Sequence, residues 1–346
     1  MSLHTTLILE LTNFCDLNCI MCALPGMRRK RGFMNSKLLG KILADLKNAN
    51  LKFNMLLPFW SGESTLHPQF PELLSMILTA NYDRSIADGL GLDTNLNSWT
   101  PETIDLLLSS GQFVVLHFSL DAARAGTYAR IRRCGNYETA VACARLFLRR
   151  RKALGMRFPH FVFQFIVMEE NQDEAAEFAN VWQKELKVAG CEPAALNYFY
   201  DQPAPITGDT IFIRRCDAPC GETVRQLRLE ELHTTVVKRL IPLDQTESTR
   251  LLRTNEFRPD GSGTDTLHPG RSRQVCSGPF THIAVRFDGS VTLCCQDTEA
   301  ELCVGNASEE SLAAIWQGPK AENLRQRLRS GDYPDRCRNC FNQVYP

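Results

Sequence analysis

The sequence predicts an α/β fold in which a parallel sheet with helices is followed by a small cysteine-rich domain. Three observations support this class. β-rich segments alternate with segments of helical period from about residue 5 to residue 200, several of the β-rich segments are nearly continuous apolar runs, and cysteines concentrate at the two ends of the chain. Six strands, each followed by a helix or loop, predict a (β/α)6 barrel, partial or closed, whose ligands bind beyond the carboxyl ends of the strands.

The predicted strands are short and rich in apolar residues. They cover residues 6–10, 54–59, 91–94, 113–120, 161–168 and 194–200. The predicted helices between them cover residues 37–48, 70–81, 101–109, 137–154 and 173–189. Thr100 and Pro101 suit the N-cap and the first turn of the third helix.

The helical and strand pattern weakens after residue 200. Prolines and a Gly-Ser-Gly stretch predict a linker or insertion over residues 201–275, with one helix over residues 222–239. From residue 276 to residue 346 we expect a separate small domain. It contains a hairpin over residues 283–293, with Asp288 and Gly289 in its turn, and one helix over residues 311–329. The predicted barrel therefore occupies residues 1–200.

Charge and hydropathy exclude several protein classes. The chain has 39 Lys and Arg and 39 Asp and Glu, so its formal net charge is zero, and nothing indicates a nucleic-acid-binding surface. No apolar run is long enough to cross a membrane, and the N-terminus lacks the features of a signal peptide. We therefore expect a cytoplasmic protein that binds neither nucleic acid nor membrane.

Fourteen cysteines are the compositional anomaly of this chain. In a reducing compartment, clustered cysteines indicate metal or redox chemistry rather than disulfides. Cys15, Cys19 and Cys22 follow the first strand with C-x3-C-x2-C spacing. Three thiolates in one loop suit a [4Fe-4S] cluster whose fourth iron stays open to a substrate or cofactor. The alternative is a zinc knuckle, but no fourth ligand follows at the usual spacing.

This motif resembles that of radical S-adenosylmethionine (SAM) enzymes. The turn Trp60-Ser61-Gly62-Glu63-Ser64 stands where that family has a Gly-Gly-Glu-Pro loop, although only the glycine before the glutamate and the glutamate itself match. Glu63 suits the SAM ammonium group because a carboxylate accepts charge-assisted hydrogen bonds. The resemblance also implies that Arg132 reaches the SAM carboxylate, with Arg133 as its competitor. The SAM-contacting positions implied in this way are Met21, Ser61, Gly62, Glu63, Thr94, Asn95, Ser119, Asp121 and Arg132.

The C-terminal cysteines resemble those of the SPASM/twitch domain, which binds an auxiliary iron–sulfur cluster. The resemblance implies one auxiliary [4Fe-4S] cluster with four cysteine ligands, namely Cys276, Cys294, Cys337 and Cys340. Cys295 is adjacent to Cys294 and competes with it, and spacing favours Cys294. A zinc ribbon with four cysteine ligands is the alternative.

The resemblance implies SAM as cofactor, a 5′-deoxyadenosyl radical and a flavodoxin- or ferredoxin-type reductant. Relatives with one auxiliary cluster include aminocyclitol and aminoglycoside dehydrogenases of antibiotic pathways, sugar epimerases and sugar-acid decarboxylases, and others modify peptides. We expect oxidation of a carbinol carbon in a small polar substrate to a ketone, with the auxiliary cluster accepting an electron. An epimerase would instead need a thiol hydrogen donor, for which Cys216, Cys220 and Cys295 are the options. A non-catalytic electron-carrying protein is the remaining hypothesis.

Overall fold

The computed structural model describes residues 2–198, 206–217, 223–241 and 276–338. Ten strands lie within these residues. They are β1 (Ser2–Leu9), β2 (Lys52–Leu57), β3 (Ala87–Thr94), β4 (Phe113–Ser119), β5 (His160–Val167), β6 (Ala195–Asn197), β7 (Thr210–Arg215), β8 (His282–Val285), β9 (Ser290–Thr292) and β10 (Cys303–Asn306). They form one sheet in the order β10-β9-β8-β1-β2-β3-β4-β5-β7-β6.

The strands from β1 to β7 are parallel to their neighbours, and most are connected by helices. These helices are α1 (Ser36–Asn48), α2 (Phe70–Ala80), α3 (Pro101–Ser109), α4 (Ala125–Ile131), α5 (Tyr137–Ala153), α6 (Ala175–Val188) and α7 (Thr223–Leu240). Shorter helices accompany the C-terminal strands, namely α8 (Gly278–Thr281), α9 (Leu312–Gln317), α10 (Pro319–Ser330) and α11 (Asp335–Arg338). The α/β class and the partial barrel are as predicted.

Polar side chains fix the starts of several helices. Asn35, Thr100, Asn136 and Ser311 each accept a hydrogen bond from the backbone N–H three residues ahead, which satisfies a group that the helix leaves open. The predicted start of α3 at Pro101 is therefore confirmed. Sequence patterns missed only the short α4 among the helices of the barrel.

The sheet has an outer face covered by helices and an inner face on the other side. Residues of β4 such as Leu116 and Phe118 are fully buried in the core between sheet and helices. The intervening residues, such as His117 and Ser119, lie on the inner face and are partly exposed. The period of two along each strand thus separates core residues from residues available to a ligand.

The sheet extends beyond residue 200, where the sequence pattern weakens. Strand β7 pairs with β5, and the sixth predicted strand is reduced to β6 at the edge. The reason is burial, because Ile211 and Ile213 of β7 are completely buried whereas Ala195 and Leu196 of β6 are exposed. The segment expected to be a linker therefore supplies a strand of the main sheet, and helix α7 follows it close to its predicted bounds.

The C-terminal hairpin joins the sheet of the barrel. Strands β8 and β9 are antiparallel around the predicted Asp288-Gly289 turn, and β8 pairs in parallel with β1. This pairing satisfies the edge of β1, which would otherwise present unpaired backbone groups. The single helix predicted over residues 311–329 is wrong in one respect: extended backbone at Gly318 divides it into α9 and α10, and Pro319 is the first residue of α10.

Candidate functional site

The Cys15–Cys22 loop connects β1 to the rest of the barrel at the carboxyl end of the sheet. Its backbone is held by the turn after α4, since Asn18 N–H donates to the Arg133 carbonyl at 2.8 Å and Ile20 N–H donates to the Ile131 carbonyl at 3.0 Å. Cys19 is buried and Cys22 is exposed. The loop is therefore fixed by backbone hydrogen bonds while its cysteine side chains face different surroundings.

Backbone amides also point at two of the sulfurs. Leu17 N–H donates to Cys15 Sγ at 3.5 Å, and Leu24 N–H donates to Cys22 Sγ at 3.4 Å. Such N–H donors stabilise thiolates, which are the form of cysteine that binds iron.

Gly62 brings the second predicted loop into contact with the cysteine loop. Its φ is +95°, and a Cβ atom there would lie 2.5 Å from the Phe14 carbonyl oxygen. The next residue, Glu63, donates its backbone N–H to that same oxygen at 2.8 Å. Only glycine fits this approach, so the match of Gly62 to the family loop has a structural cause.

The Glu63 carboxylate is buried below this contact. Thr94 Oγ1 donates to it at 3.1 Å, Thr65 Oγ1 at 2.9 Å and Asn95 N–H at 2.8 Å. Burial raises the pKa of Glu63 to about 7, although these hydrogen bonds lower it. A cation beside this carboxylate would remove the cost of its burial. The structure thus joins Glu63, Thr94 and Asn95 in one network.

Asn95 connects this network to the first cysteine. Its Nδ2 donates to Asp16 Oδ1 at 2.7 Å and lies 3.8 Å from Cys15 Sγ. Ser98 Oγ donates to the other Asp16 oxygen at 3.0 Å. Residues after β3 therefore position the start of the cysteine loop.

Asp121 and Arg132 form a buried ion pair beside Cys19. Asp121 Oδ2 accepts from Arg132 Nε at 2.8 Å and from Arg132 Nη2, and Oδ1 accepts from Ile166 N–H at 2.7 Å. Arg132 Nη1 lies 3.7 Å from Cys19 Sγ, whereas Arg133 is exposed. Both Asp121 oxygens thus have protein partners, and this residue positions Arg132. The SAM carboxylate contact of Arg132 stays a prediction.

A cavity of about 1130 Å³ lies beside the cysteine loop, at the ends of β5 and β7. Met21, Met168 and Cys216 form part of its wall, and charged residues of α7 form another part. Cys216 is buried against Ile131 and Met168, and burial raises the pKa of its thiol to about 12. Cys216 and Met21, two of the predicted residues, therefore face the same space.

The C-terminal cysteines lie close to one another. The Cys276 charge acts on the thiols of Cys294, Cys295 and Cys337, and burial raises the pKa of each of these three. The pKa rises to about 12 at Cys294 and to about 11 at Cys295. Cys276 is thus near both adjacent cysteines, and the choice between Cys294 and Cys295 stays open. Cys220 and Cys340 lie outside the described residues.

The two cysteine regions contact each other through Trp60, which precedes the Gly62 turn. Trp60 Nε1 donates to the Cys295 carbonyl at 2.9 Å, and the Arg286 guanidinium lies over the Trp60 ring at 5.0 Å. Glu299 adds a second connection by accepting the backbone N–H of Arg28 at 3.0 Å. The predicted SAM loop is therefore held against the auxiliary cysteines.

Two predicted residues make no side-chain contact that defines a role. Ser61 is half-buried in the Gly62 turn, and Ser119 is half-buried at the end of β4 on the inner face. Sequence reasoning missed four inner-face residues near Ser119. The period of two along each strand could have found them, and they are Asp93, His117, Gln164 and Arg214.

Family models match the N-terminal barrel and the C-terminal cysteine-rich part of the chain. Residues 9–181 match the Radical SAM superfamily, and residues 276–341 match SPASM, an iron–sulfur cluster-binding domain. The chain belongs to the Radical SAM superfamily. Its C-terminal part is a SPASM domain.

Individual relatives are distant. A cofactor-modifying protein for tungsten-containing aldehyde ferredoxin oxidoreductase from Pyrococcus furiosus is 26% identical over 175 residues, which are 50% of this chain. The aligned part is 46% of that relative, so the chain spans about half the length of the curated protein it matches.

Solved structures share the fold. Streptococcus suis SuiB bound to S-adenosylmethionine is 16% identical, with a TM-score of 0.58 over 93% of this chain and 68% of that one. The enzyme anSMEcpe with bound AdoMet is 18% identical, with a TM-score of 0.58 over 98% of this chain and 88% of that one. At this identity the likeness establishes the fold alone. No helix in the described ranges is long and apolar enough to span a membrane.

The two domains imply SAM and two [4Fe-4S] clusters, and the side chains present fit these groups. Burial raises the pKa of Cys15 and of Cys294 to about 12, so each thiolate needs a cation beside it, which iron provides. No three Cys, His, Asp or Glu side chains of the described residues are grouped to hold a single metal ion.

Proposed function

We propose that this radical SAM enzyme oxidises a carbinol carbon of a small polar sugar or aminocyclitol-type substrate to a ketone. The observation that carries the proposal is the Trp60–Cys295 hydrogen bond of 2.9 Å. It holds the loop of Glu63 directly against the auxiliary cysteines. A substrate near Glu63 would therefore be close to the residues that hold a redox centre.

The bound cofactors would supply a 5′-deoxyadenosyl radical, which removes a hydrogen atom from the substrate carbon. In this proposal Cys15, Cys19 and Cys22 hold the cluster, and Glu63 binds the SAM ammonium group. Gly62 supports these roles because its backbone fits tightly against Phe14 of the cysteine loop. A fixed geometry of this kind limits side reactions of a radical.

The residues around this centre also position charge and supply part of the wall of the adjoining cavity. Asp121 keeps the Arg132 guanidinium beside Cys19, in a buried ion pair. Met21 covers one side of the adjoining cavity with apolar surface. A carbinol that becomes a ketone loses one hydrogen atom, one proton and one electron. The cluster held by Cys276, Cys294 and Cys337, with Cys340, would be an electron acceptor within the protein.

The test is the product mass after anaerobic turnover in deuterated water. Reconstituted enzyme, SAM and reductant are combined with aminocyclitols, aminoglycosides and sugar nucleotides. We expect a product lighter by two hydrogens, formed together with one 5′-deoxyadenosine. SAM cleavage without change of any of these compounds would contradict the proposed substrate class. A product without the carboxyl group of its substrate would indicate decarboxylation instead.

Epimerisation is a second candidate, favoured by the position of Cys216. This thiol lines the cavity next to Met21, and its raised pKa of about 12 keeps the S–H bond intact at neutral pH. A thiol that gives its hydrogen atom to a substrate radical must regain an electron and a proton, so a one-electron reductant is required. Incorporation of one deuterium, lost in Cys216→Ala and kept in the exposed-cysteine control Cys303→Ala, would support it.

A further inference from the structure

The inner face of the sheet carries polar side chains on the three neighbouring strands β3, β4 and β5. On β3 and β4, Asp93 is the register partner of His117. On β4 and β5, Ser119 is the register partner of Gln164. Register partners in a sheet lie about 5 Å apart with their side chains on the same face. These four residues therefore form one polar area beside the predicted SAM loop.

Asp93 is the unusual member of this area. Its Oδ1 lies 4.0 Å from His117 Nδ1, and the two side chains are 37% and 25% exposed. Within the part of the chain that the structure describes, no Lys or Arg forms an ion pair with Asp93. Its carboxylate therefore faces the inner space, and within the described ranges the His117 imidazole is the only basic side chain that approaches it.

Gln164 presents an amide next to this pair. It is 4% exposed, and its Oε1 accepts a hydrogen bond from Arg214 Nη1 at 3.2 Å. Its Nε2 donates to no side chain or carbonyl among the described residues. Arg214 is also paired with Asp217 at 3.6 Å, and Asp217 pairs with Arg215 as well.

The polar area lies beside the loop that connects the two cysteine regions. Asp93 directly precedes Thr94 and Asn95, which bind Glu63 and approach Cys15. The loop of Glu63 also carries Trp60, whose Nε1 donates to the Cys295 carbonyl at 2.9 Å. A ligand on these residues would therefore be close to the loop that contacts both regions.

We propose that Asp93, His117 and Gln164 form the substrate-binding site, and that the substrate is a polyhydroxylated molecule with a basic amine. Asp93 binds the ammonium group, and His117 and Gln164 bind neighbouring hydroxyl groups. This inference rests on the proposed function and deepens it, because it identifies the amine as the group that is recognised. A carboxylate without a strong cation partner selects an ammonium group over a hydroxyl group.

The probes are 2-deoxystreptamine, a cyclitol with two amines, and myo-inositol, a cyclitol with none. Each is titrated calorimetrically into reconstituted enzyme with SAM bound. We expect 2-deoxystreptamine to bind at least about tenfold more tightly than myo-inositol, since hydrogen bonds between charged groups are stronger than those between neutral groups. Equal binding of the two compounds, or binding of neither, would overturn the inference.

The variant Asp93→Asn locates the contact. It should weaken 2-deoxystreptamine binding at least about tenfold and leave myo-inositol binding nearly unchanged. The matched control is Asp88→Asn, an exposed aspartate of the same strand that pairs with Lys52 and should change neither affinity. His117→Gln keeps hydrogen-bonding capacity and should weaken both ligands modestly. Undiminished 2-deoxystreptamine binding in Asp93→Asn would contradict the proposal.

Two further measurements on the same preparations separate the possible failures. Iron content and melting temperature show whether Asp93→Asn is folded and contains its iron. If it is not folded, the proposal is judged from the affinities of the two ligands for the wild type and for His117→Gln. Formation of 5′-deoxyadenosine by the wild type tests the proposed function. If SAM is cleaved and Asp93→Asn binds both ligands normally, only the substrate site is wrong.

Discussion

The substitution Glu63→Gln tests whether the buried carboxylate binds the ammonium group of SAM. Burial raises the pKa of Glu63 to about 7, so its charge changes within the working pH range. SAM should bind the ionised carboxylate, and its affinity for the wild type should therefore increase as the pH rises through neutrality. The glutamine variant has no such titration.

The size of the effect follows from the two ionisations. With a pKa of about 7, Glu63 is about 9% ionised at pH 6.0 and about 76% ionised at pH 7.5. An α-amino group with a pKa of about 7.8 is about 98% charged at the lower pH and about 67% charged at the higher one. The product of these fractions increases about sixfold, and so should the affinity.

The assay is calorimetric titration of SAM into anaerobically reconstituted enzyme at both pH values. Glu63→Gln should bind SAM about tenfold more weakly at the higher pH and show no increase with pH. The exposed neighbour Glu72 provides the control variant Glu72→Gln, which should behave as the wild type. A wild-type affinity that stays flat or falls, or an equal increase in Glu63→Gln, would refute the reasoning.

The same ionisation affects folding in the absence of SAM. Between the ordinary pKa of 4.5 and the raised value of about 7, the folded state binds more protons than the unfolded state. Stability therefore falls as the pH rises through this window, by at most about 3.5 kcal/mol, since each pKa unit corresponds to about 1.4 kcal/mol. Above pH 7, Glu63→Gln should consequently unfold at higher denaturant concentration than the wild type.

Three further substitutions test the site. Gly62→Ala should lower stability by about 1–3 kcal/mol and abolish SAM binding, because its φ is +95° and the new Cβ would meet the Phe14 carbonyl; thermal unfolding and calorimetry measure both effects. Arg132→Met leaves the buried Asp121 charge unpaired and should cost about 3–5 kcal/mol in denaturant unfolding, whereas Arg133→Met should be neutral. Cys294→Ser should lose the auxiliary cluster, measured as about half of the bound iron, while Cys295→Ser should retain it.

Each of these tests has a control or a contradicting result. Gly26→Ala has open space around the new Cβ and should bind SAM as the wild type does. Equal destabilisation by the two arginine variants would show that the ion pair is not the cause. Iron loss in Cys295→Ser but not in Cys294→Ser would reverse the assignment of the ligand.

Local signals in the sequence were sufficient to predict most helices and strands of the barrel. The helix start at Pro101 was found because an N-cap and proline act on their immediate neighbours. The C-x3-C-x2-C spacing likewise placed the three cysteines in one loop after β1, because all three lie within eight residues. The break at Gly318 was also local, and the Gly-Pro pair could have indicated it.

Pairing between distant segments was decided only by tertiary structure. β7 took the place beside β5 because Ile211 and Ile213 fill the core, a competition that no local pattern of the two segments reveals. The hairpin joined β1 for a similar reason, since it satisfies an edge that belongs to the other end of the chain.

The site divides in the same way. The sequence by itself predicted the cysteines and the Gly62-Glu63 loop as site residues, because their chemistry depends on residue type and close spacing. Only the folded chain decided that Asp93 meets His117, and that Trp60 meets Cys295. These contacts depend on strand register and on the docking of segments more than 200 residues apart. The period of two assigns a residue to one face of the sheet, but it does not give the residue that lies opposite it on the neighbouring strand.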